Sequence, residues 1–349
     1  MTLIERIARS KFYIKLTNWE YWPFGILQAP IFVYWIWLSA KARSLFFFSA
    51  SNPSIYSGGM LGESKKMALD LVPDEYKPLT ILIRLPATVD QVLCAMVEAK
   101  LNLPVIFKPD LGERGFMVRK IHNENEIKKY LSEIPTDFLV QEFLDLPLEF
   151  GVFYARKPSE TIGKVVSINS KEMLSVVGNG EDTLSQLVYK NSRAYLQDDR
   201  LRKIFTDQWN SIIPINETIE LNSIGNHCLG TKFMNGKDLI TPMLNDTFDI
   251  LSKKVRGFYF GRYDLRCATL ADLENGSFKI MELNGCGAEP AHIYQPGFSF
   301  WQALKVMFGH WRLLYEISVE NHKSGVPYIT FAEARKTYLR TRKIFNSNK

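Results

Sequence analysis

Short apolar runs that stop on charged or amide groups recur through the middle of this chain. They are Leu103-Pro-Val-Ile-Phe-Lys108-Pro-Asp, Phe138-Leu-Val-Gln141-Glu142-Phe143-Leu144 and Phe278-Lys-Ile-Met-Glu282-Leu-Asn284. Runs of this length bounded by turn residues predict strands. In the last of them the two-residue period of a strand puts Glu282 and Asn284 on one face, with Met281 and Leu283 on the other. Gly261-Arg262-Tyr263-Asp264-Leu265-Arg266 reads as an adjacent strand, and Leu111-Gly112-Glu-Arg-Gly115-Phe-Met-Val as a glycine-containing turn into another. Helical spacing takes over elsewhere. Thr183 caps a helix with Leu184, Leu187 and Val188 on its apolar face, and Phe298 to Glu316 is an aromatic-rich helix. Thr330-Phe-Ala-Glu333 is a capping box that opens a basic helix carrying Arg335, Lys336, Arg340, Arg342 and Lys343.

Two neighbouring strands carrying Asp264 and the Glu282-x-Asn284 pair would bring hard oxygen ligands to a shared point, which suits Mg²⁺. Lys108, at the end of a buried strand and beside a flexible hairpin, is placed to hold phosphate oxygens. In this order the pieces resemble the ATP-grasp superfamily of carboxylate-amine ligases, and within it the D-alanine–D-alanine ligase-like branch. The resemblance covers roughly residues 60 to 296, and the metal motif is its most specific part. It implies an α/β (α+β) ATP-grasp fold, with two lobes gripping ATP. Lys65 and Lys108 would contact the nucleotide phosphates, with Lys66 competing for the place of Lys65, and the hairpin around Gly112 and Gly115 would close over them. Gln141, Glu142, Phe143 and Leu144 would form the adenine-binding linker, and Glu149 would accept the ribose hydroxyls. Asp264, Glu282 and Asn284 would ligate magnesium, and Arg262 would stabilise the tetrahedral transition state. Lys171 is the candidate for a further phosphate-contacting lysine, with Lys164 also in range. Such enzymes phosphorylate a carboxylate with ATP and let an amine, or a thiol, displace phosphate. The protein contributes mostly positioning and charge.

Composition fits an enzyme of this size, since 349 residues at 46% hydrophobic can bury a full core. The four cysteines, Cys94, Cys228, Cys267 and Cys286, show no metal spacing and read as reduced thiols of a cytoplasmic chain. Charge is uneven. Residues 1–50 carry six basic and two acidic groups, and residues 323–349 carry seven and one, so with a net charge of +6 the intervening body is acidic. An acidic body argues against a nucleic-acid groove.

The basic ends frame a second feature: Tyr21 to Ala40 contains no charged residue and is rich in Trp, Phe, Tyr and Ile. Its length makes it a transmembrane candidate. Pro23, Pro30 and Gln28 interrupt it, Leu45-Phe46-Phe47-Phe48 extends it past Lys41 and Arg43, and aromatics favour the headgroup zone. A monotopic anchor, a buried aromatic helix and a true span are the competing readings. The first twenty residues lack a cleavable signal, so the expected location is cytoplasmic, peripheral or monotopic at the inner face of the membrane. An anionic membrane surface is a candidate partner, with the basic tail as a second contact.

Only about sixty residues precede Lys65 and no alternating strand and helix pattern is visible in them, so the family's usual Rossmann-like first lobe is expected to be truncated or replaced. The expected organisation is an aromatic-rich segment over 1–60, an ATP-grasp domain over 61–296 with its small lobe at about 100–147, and carboxyl-terminal helices over 297–349. Glu289 and His292, after the metal pair, are candidates to orient or deprotonate an amine acceptor. The expected function is an ATP- and Mg²⁺-dependent ligase joining a carboxylate to an amine, with an amphipathic or lipid-linked substrate among the candidates. A small-molecule kinase of the same fold and a non-catalytic nucleotide-binding membrane adaptor are the alternatives.

Overall fold

The computed structural model describes residues 10–112, 115–222, 225 and 227–346. Glu113 and Arg114 of the expected hairpin lie outside the described residues, as do the side chains of Cys228 and Lys343.

Among the described residues no strand precedes Thr80. The amino-terminal part is α1 (Lys11–Thr17), α2 (Phe24–Ala42) and α3 (Lys65–Asp70), joined by short turns. Ser10 and Ser64 cap α1 and α3 by accepting hydrogen bonds from the backbone N–H groups of Tyr13 and Met67. A small lobe follows, built from β1 (Thr80–Ile83), α4 (Val89–Glu98), β2 (Val105–Pro109), β3 (Arg119–Ile121), α5 (Glu124–Glu133) and β4 (Phe138–Glu142). Its antiparallel sheet has the order β1-β4-β2-β3, so the sheet starts ahead of the boundary expected at about 100. Val92 and Met96 of α4 and Ile127 and Tyr130 of α5 pack on Val105, Phe107, Phe138 and Val140, closing one face of this sheet.

The larger lobe is built on β5 (Leu148–Ala155), β6 (Lys164–Glu172), β7 (Ser175–Val177), α6 (Leu184–Lys190), α7 (Ser192–Tyr195), α8 (Asp198–Ile204), β8 (Thr218–Glu220), β9 (Lys232–Asn235), α9 (Pro242–Lys254), β10 (Phe260–Cys267), α10 (Leu270–Asn275) and β11 (Phe278–Asn284). Five of these strands form an antiparallel sheet in the order β11-β10-β5-β6-β9. Leu244, Phe248 and Leu251 of α9 cover one face by packing with Val152, Tyr154, Tyr263, Leu265 and Ile280. The opposite face carries Glu149, Arg262 and Asp264 toward the small lobe and buries Phe153 and Phe260 farther along. The capping box at Thr183 forms with Gln186, and the one at Thr330 forms with Glu333.

Two long helices, α11 (Phe300–Lys323) and α12 (Phe331–Asn346), complete the chain. Leu27 and Ile31 of α2 are buried against Ala303, Leu304 and Met307 of α11, and Leu38 joins Phe47, Phe48, Leu314 and Ile317 over Phe153 and Phe260. One stripe of α2 thus belongs to the core. The other, with Ile26, Phe32, Val33, Ile36 and Trp37, is exposed. Among the described residues no helix is long and apolar enough to cross a membrane.

The amino-terminal segment is fastened to the large sheet by polar contacts as well. Fully buried Asn52 donates to the carbonyls of Gly58 and Phe260 and accepts from the N–H groups of Tyr259 and Phe260, at 2.7–3.0 Å. Beside it, Cys286 and Gly287 donate backbone N–H groups to the carbonyls of Gly58 and Gly59, at 2.9 Å each. A Cβ on Gly59 (φ +85°) would lie 2.6 Å from the Cα of Gly285, so backbone meets backbone at a seam only glycine allows.

Candidate active site

Between the two sheets lies a cleft of about 950 Å³. It is lined by Lys65, Lys108, Gly112, Gly115, Gln141, Glu142, Phe143, Leu144, Glu149, Lys171, Arg262, Asp264, Glu282 and Asn284. The residues that the resemblance assigned to nucleotide, metal and transition state therefore border one space. Lys66 is not among them: it turns back along α3 to pair with Asp70 at 2.6 Å. Lys164 is exposed at the far end of β6, opposite Ala155.

The acidic part of the cleft comes from β10 and β11. Arg262 pairs with Asn284 and Asp264 with Glu282 across the strands, so all four project from one patch of sheet. Arg262 grips Asp264 with two hydrogen bonds, Nε to Oδ1 at 2.9 Å and Nη2 to Oδ2 at 3.0 Å, and its Nη1 reaches the carbonyl of Glu289 at 3.0 Å. Asn284 donates to Asp264 Oδ2 at 3.1 Å, and Glu282 is ion-paired with Lys65. Gly151 sits across from Asp264 on β5, where a Cβ would come within 3.1 Å of Asp264 Oδ1 and 2.5 Å of the amide oxygen of Asn169. Its missing side chain keeps room beside the carboxylate.

Lys108, nearly buried, ties the lobes together. Its Nζ donates to Gln141 Oε1 within the small sheet at 3.0 Å and to the carbonyl of Met281 on β11 at 2.9 Å. Burial pushes its pKa down to about 8, against the opposing pull of Glu282 and Asp264. Burial alone would raise Glu282, but Lys65, Lys108 and Arg262 outweigh it and hold the carboxyl at about 2. Lower in the cleft, Glu149 accepts from Lys171 at 2.8 Å and from both Nε and Nη2 of Arg266, at 2.9 and 2.8 Å. Burial raises its pKa, and the two cations more than offset that, so it remains a carboxylate. In the linker, the Lys120 ammonium lies 3.5 Å from the centre of the Phe143 ring, and the carbonyl of Leu144 accepts from Arg266 at 3.1 Å.

Among the described residues, no three or more His, Cys, Asp or Glu side chains gather where they could hold a metal by themselves. Mg²⁺ asks for less. One or two carboxylates and an amide oxygen, completed by phosphate and water, suffice, and Asp264, Glu282 and Asn284 fit that donor set. Their charges are balanced by Lys65 and Arg262, groups that a polyphosphate could engage instead.

The cleft also has a second end that sequence reading missed. It is walled by Lys15, Trp19, Trp22, Leu27, Tyr294 and Phe300. Glu20 is held there by Arg193 at 2.7 Å and His227 at 3.0 Å. The aromatic run had been visible, but contacts nearly 280 residues apart in sequence, such as that of Trp19 with the Phe298 carbonyl, leave no local signal. Glu289 lines the cleft and accepts from Gln28 and Tyr294, at 2.6 and 2.7 Å. His292 does not border it. It is partly buried, which pushes its pKa down to about 4. Cys267 and Cys286 are buried free thiols and Cys94 an exposed one.

No protein-family model matches the chain, and no curated protein matches it by sequence. Solved structures do. A VanG D-Ala:D-Ser ligase from Enterococcus faecalis aligns over 72% of this chain and 61% of its own, at 15% identity and a TM-score of 0.41. A D-alanine–D-alanine ligase from Coxiella burnetii aligns over 82% and 63%, at 10% identity and 0.41. A bifunctional glutathione synthetase from Pasteurella multocida aligns over 70% and 36%, at 13% identity and 0.36. The chain thus spans between about a third and two thirds of the length of these three proteins. Likeness this distant says nothing about substrates. Two antiparallel sheets close on one cleft in this chain, and the motif residues project into it.

Proposed function

We propose that the chain is an ATP-dependent carboxylate-amine ligase. The observation that carries this reading is the gathering of Lys65, Lys108, Lys171 and Arg262 around Asp264, Glu282 and Asn284 in a single cleft. Lys65, Lys108 and Lys171 would bind the phosphates of ATP, with the hairpin at Gly112 and Gly115 above them. Gln141 to Leu144 would border the adenine, and Glu149 would take the ribose hydroxyls once its cations move to phosphate. Asp264, Glu282 and Asn284 would hold Mg²⁺, which when bound screens the phosphate oxygens and draws charge from the leaving group. A carboxylate oxygen of the substrate attacks the γ-phosphorus, and the bond to the β,γ-bridging oxygen breaks to release ADP. An amine, or a thiol, then adds to the carbonyl of the acylphosphate. Arg262 would stabilise the negative charge that develops on the carbonyl oxygen, after which phosphate leaves and the nucleophile loses its proton.

We place the enzyme in the cytoplasm, peripheral to the inner face of the membrane. The exposed apolar stripe of α2 and the basic α12 support this.

The test is ADP release that requires both a carboxylate and an amine. With a carboxylate labelled by oxygen-18, ligation carries one labelled oxygen into inorganic phosphate. A stable phosphorylated product formed without an amine would instead establish the kinase reading, and absence of turnover with intact ATP binding would establish the adaptor.

A further inference from the structure

At the aromatic end of the cleft, the residues that line the cavity stand next in sequence to residues that face solvent with large apolar side chains. Lys15 adjoins Leu16, Leu27 adjoins Ile26, and Phe300 adjoins Trp301, and the three outward neighbours are 55%, 46% and 76% exposed. Phe12, one turn before Leu16, is exposed as well. Three separate elements, α1, α2 and α11, therefore present apolar side chains around the same mouth. From there the outer stripe of α2 continues through Phe32, Val33, Ile36 and Trp37. Large apolar side chains exposed on several elements around one cavity mouth mark a binding face.

The interior agrees with the rim. Trp19, Trp22, Tyr294 and Phe300 form a ring-against-ring wall, with centroids 5.7 Å apart for Trp19 and Tyr294 and 5.5 Å for Trp22 and Phe300. Glu20, at this end, is paired with Arg193, and Glu289 accepts hydrogen bonds from Gln28 and Tyr294. The surroundings are cationic. Lys15 stands at the mouth, Lys41 lies in the last turn of α2 with Arg43 just after it, and Arg335, Lys336, Arg340 and Arg342 project from α12, whose Phe331 packs near Phe46 beyond the carboxyl end of α2. An apolar face with tryptophan at its edge and a basic fringe is complementary to an anionic bilayer.

We infer that the aromatic end of the cleft opens onto an anionic lipid surface and that the substrate is an amphiphile. Its reacting polar group reaches Arg262, and its apolar chain lies along Trp22 and Phe300 toward the bilayer. This deepens the ligase reading by naming a substrate class, and it rests on that reading for the identity of the polar end.

The experiment uses the full chain with vesicles of phosphatidylcholine, with and without phosphatidylglycerol, followed by sedimentation. Wild type and Ile162→Glu, a change at an exposed apolar residue outside the cleft, should pellet with the phosphatidylglycerol vesicles and resist release by salt. Leu16→Glu with Trp301→Glu should partition at least about tenfold less while retaining ATP affinity by calorimetry, since two charges would have to enter the interface. In a second arm, dibromostearate, a carboxylate amphiphile that quenches indole on contact, should quench wild-type fluorescence in the presence of ADP. Trp22→Phe should lose much of that quenching, and acetate should not compete. Failure of wild type to pellet, equal pelleting by the double variant, or quenching unchanged in Trp22→Phe would overturn the inference. So would a dimer that the double variant dissolves with no vesicle binding, because the face would then be a contact between copies of this chain. Loss of ATP binding in wild type with vesicle binding intact would instead remove the ligase reading alone.

Discussion

Replacing Lys108 by methionine should make the ligand-free protein more stable while crippling it as a nucleotide-binding protein. The lysine is buried between the lobes, with its pKa brought from an ordinary 10.5 down to about 8. A displacement of that size means the folded chain holds the proton about 3 kcal/mol less firmly than water does, at about 1.4 kcal/mol per pKa step. Methionine removes that cost and keeps most of the volume. It also strands Gln141 Oε1, whose hydrogen bond from Lys108 is 3.0 Å, whereas the Met281 carbonyl keeps its bond from Gln141 Nε2 at 3.2 Å. Losing one such bond, and one cationic neighbour of Glu282, takes back about 1–2 kcal/mol. The net gain at neutral pH is on the order of 1–2 kcal/mol, read by urea denaturation without nucleotide. The pH dependence gives a second handle. Between about 8 and 10.5 the unfolded wild-type chain binds more protons at this lysine than the folded one does, so its stability should climb with pH. The variant should lack that climb. ATP affinity should fall roughly tenfold to a hundredfold, the worth of one charge-assisted hydrogen bond to phosphate. A variant less stable than wild type at neutral pH, or one that binds ATP within threefold of it, would refute the reasoning.

Three further outcomes are expected. Glu282→Gln should abolish ADP release with the fold retained by circular dichroism. It should also remove a stability contribution that wild type holds above pH 4.5 and loses as the pH falls toward about 2, because this carboxyl is depressed by its cationic neighbours. Lys65→Ala should weaken ATP binding by calorimetry about tenfold or more, whereas Lys66→Ala, which loses only an exposed pair within α3, should change it less than twofold. Gly59→Ala should cost several kcal/mol in urea unfolding, roughly 3 or more, because the added methyl meets the Cα of Gly285 at 2.6 Å at a positive φ; a loss below about 1 kcal/mol would show the seam to be loose.

The half of the cleft lined by the motif residues was legible because most of them sit on strands, where alternation fixes which side chains share a face. Glu282 and Asn284 needed only the two-residue period, and Lys108 only its place at the end of an apolar run. Neighbouring choices were harder. Lys65 and Lys66 are a single helical step apart, and sequence cannot say which way the first turn of α3 faces until Asp110 receives the backbone N–H of Lys66 and the hydroxyl of Ser64. Arg266 was within the quoted strand, yet nothing local reveals that it clamps Glu149 from the adjacent strand. Asn52 is the clearest omission. An asparagine in a Ser-Asn-Pro-Ser stretch reads as an ordinary turn residue, and its value lies in four bonds to residues 6 to 208 positions away.

The same distinction explains how the amino-terminal segment comes to wall the aromatic end of the cleft. The aromatic run of α2 was ambiguous in sequence because it is apolar on every side, and the structure uses its sides differently. One stripe is consumed by α11 and the β5–β10 core, the amino-terminal turns wall the cleft, and the remaining stripe stays uncovered. Burying only one stripe would leave such a helix poorly fixed, since a helix apolar all round has no preferred rotation about its axis. Directional contacts supply what patterning lacks. Gln28 on the helix bonds Glu289, Asn52 bonds Tyr259 and Phe260 at the start of β10, and the Gly58–Gly59 backbone locks onto Cys286 and Gly287 directly after Asn284. Each of these anchors ends within a few residues of Arg262 or Asn284 in sequence, so the segment that walls the aromatic end is registered against the strands that carry the candidate metal ligands.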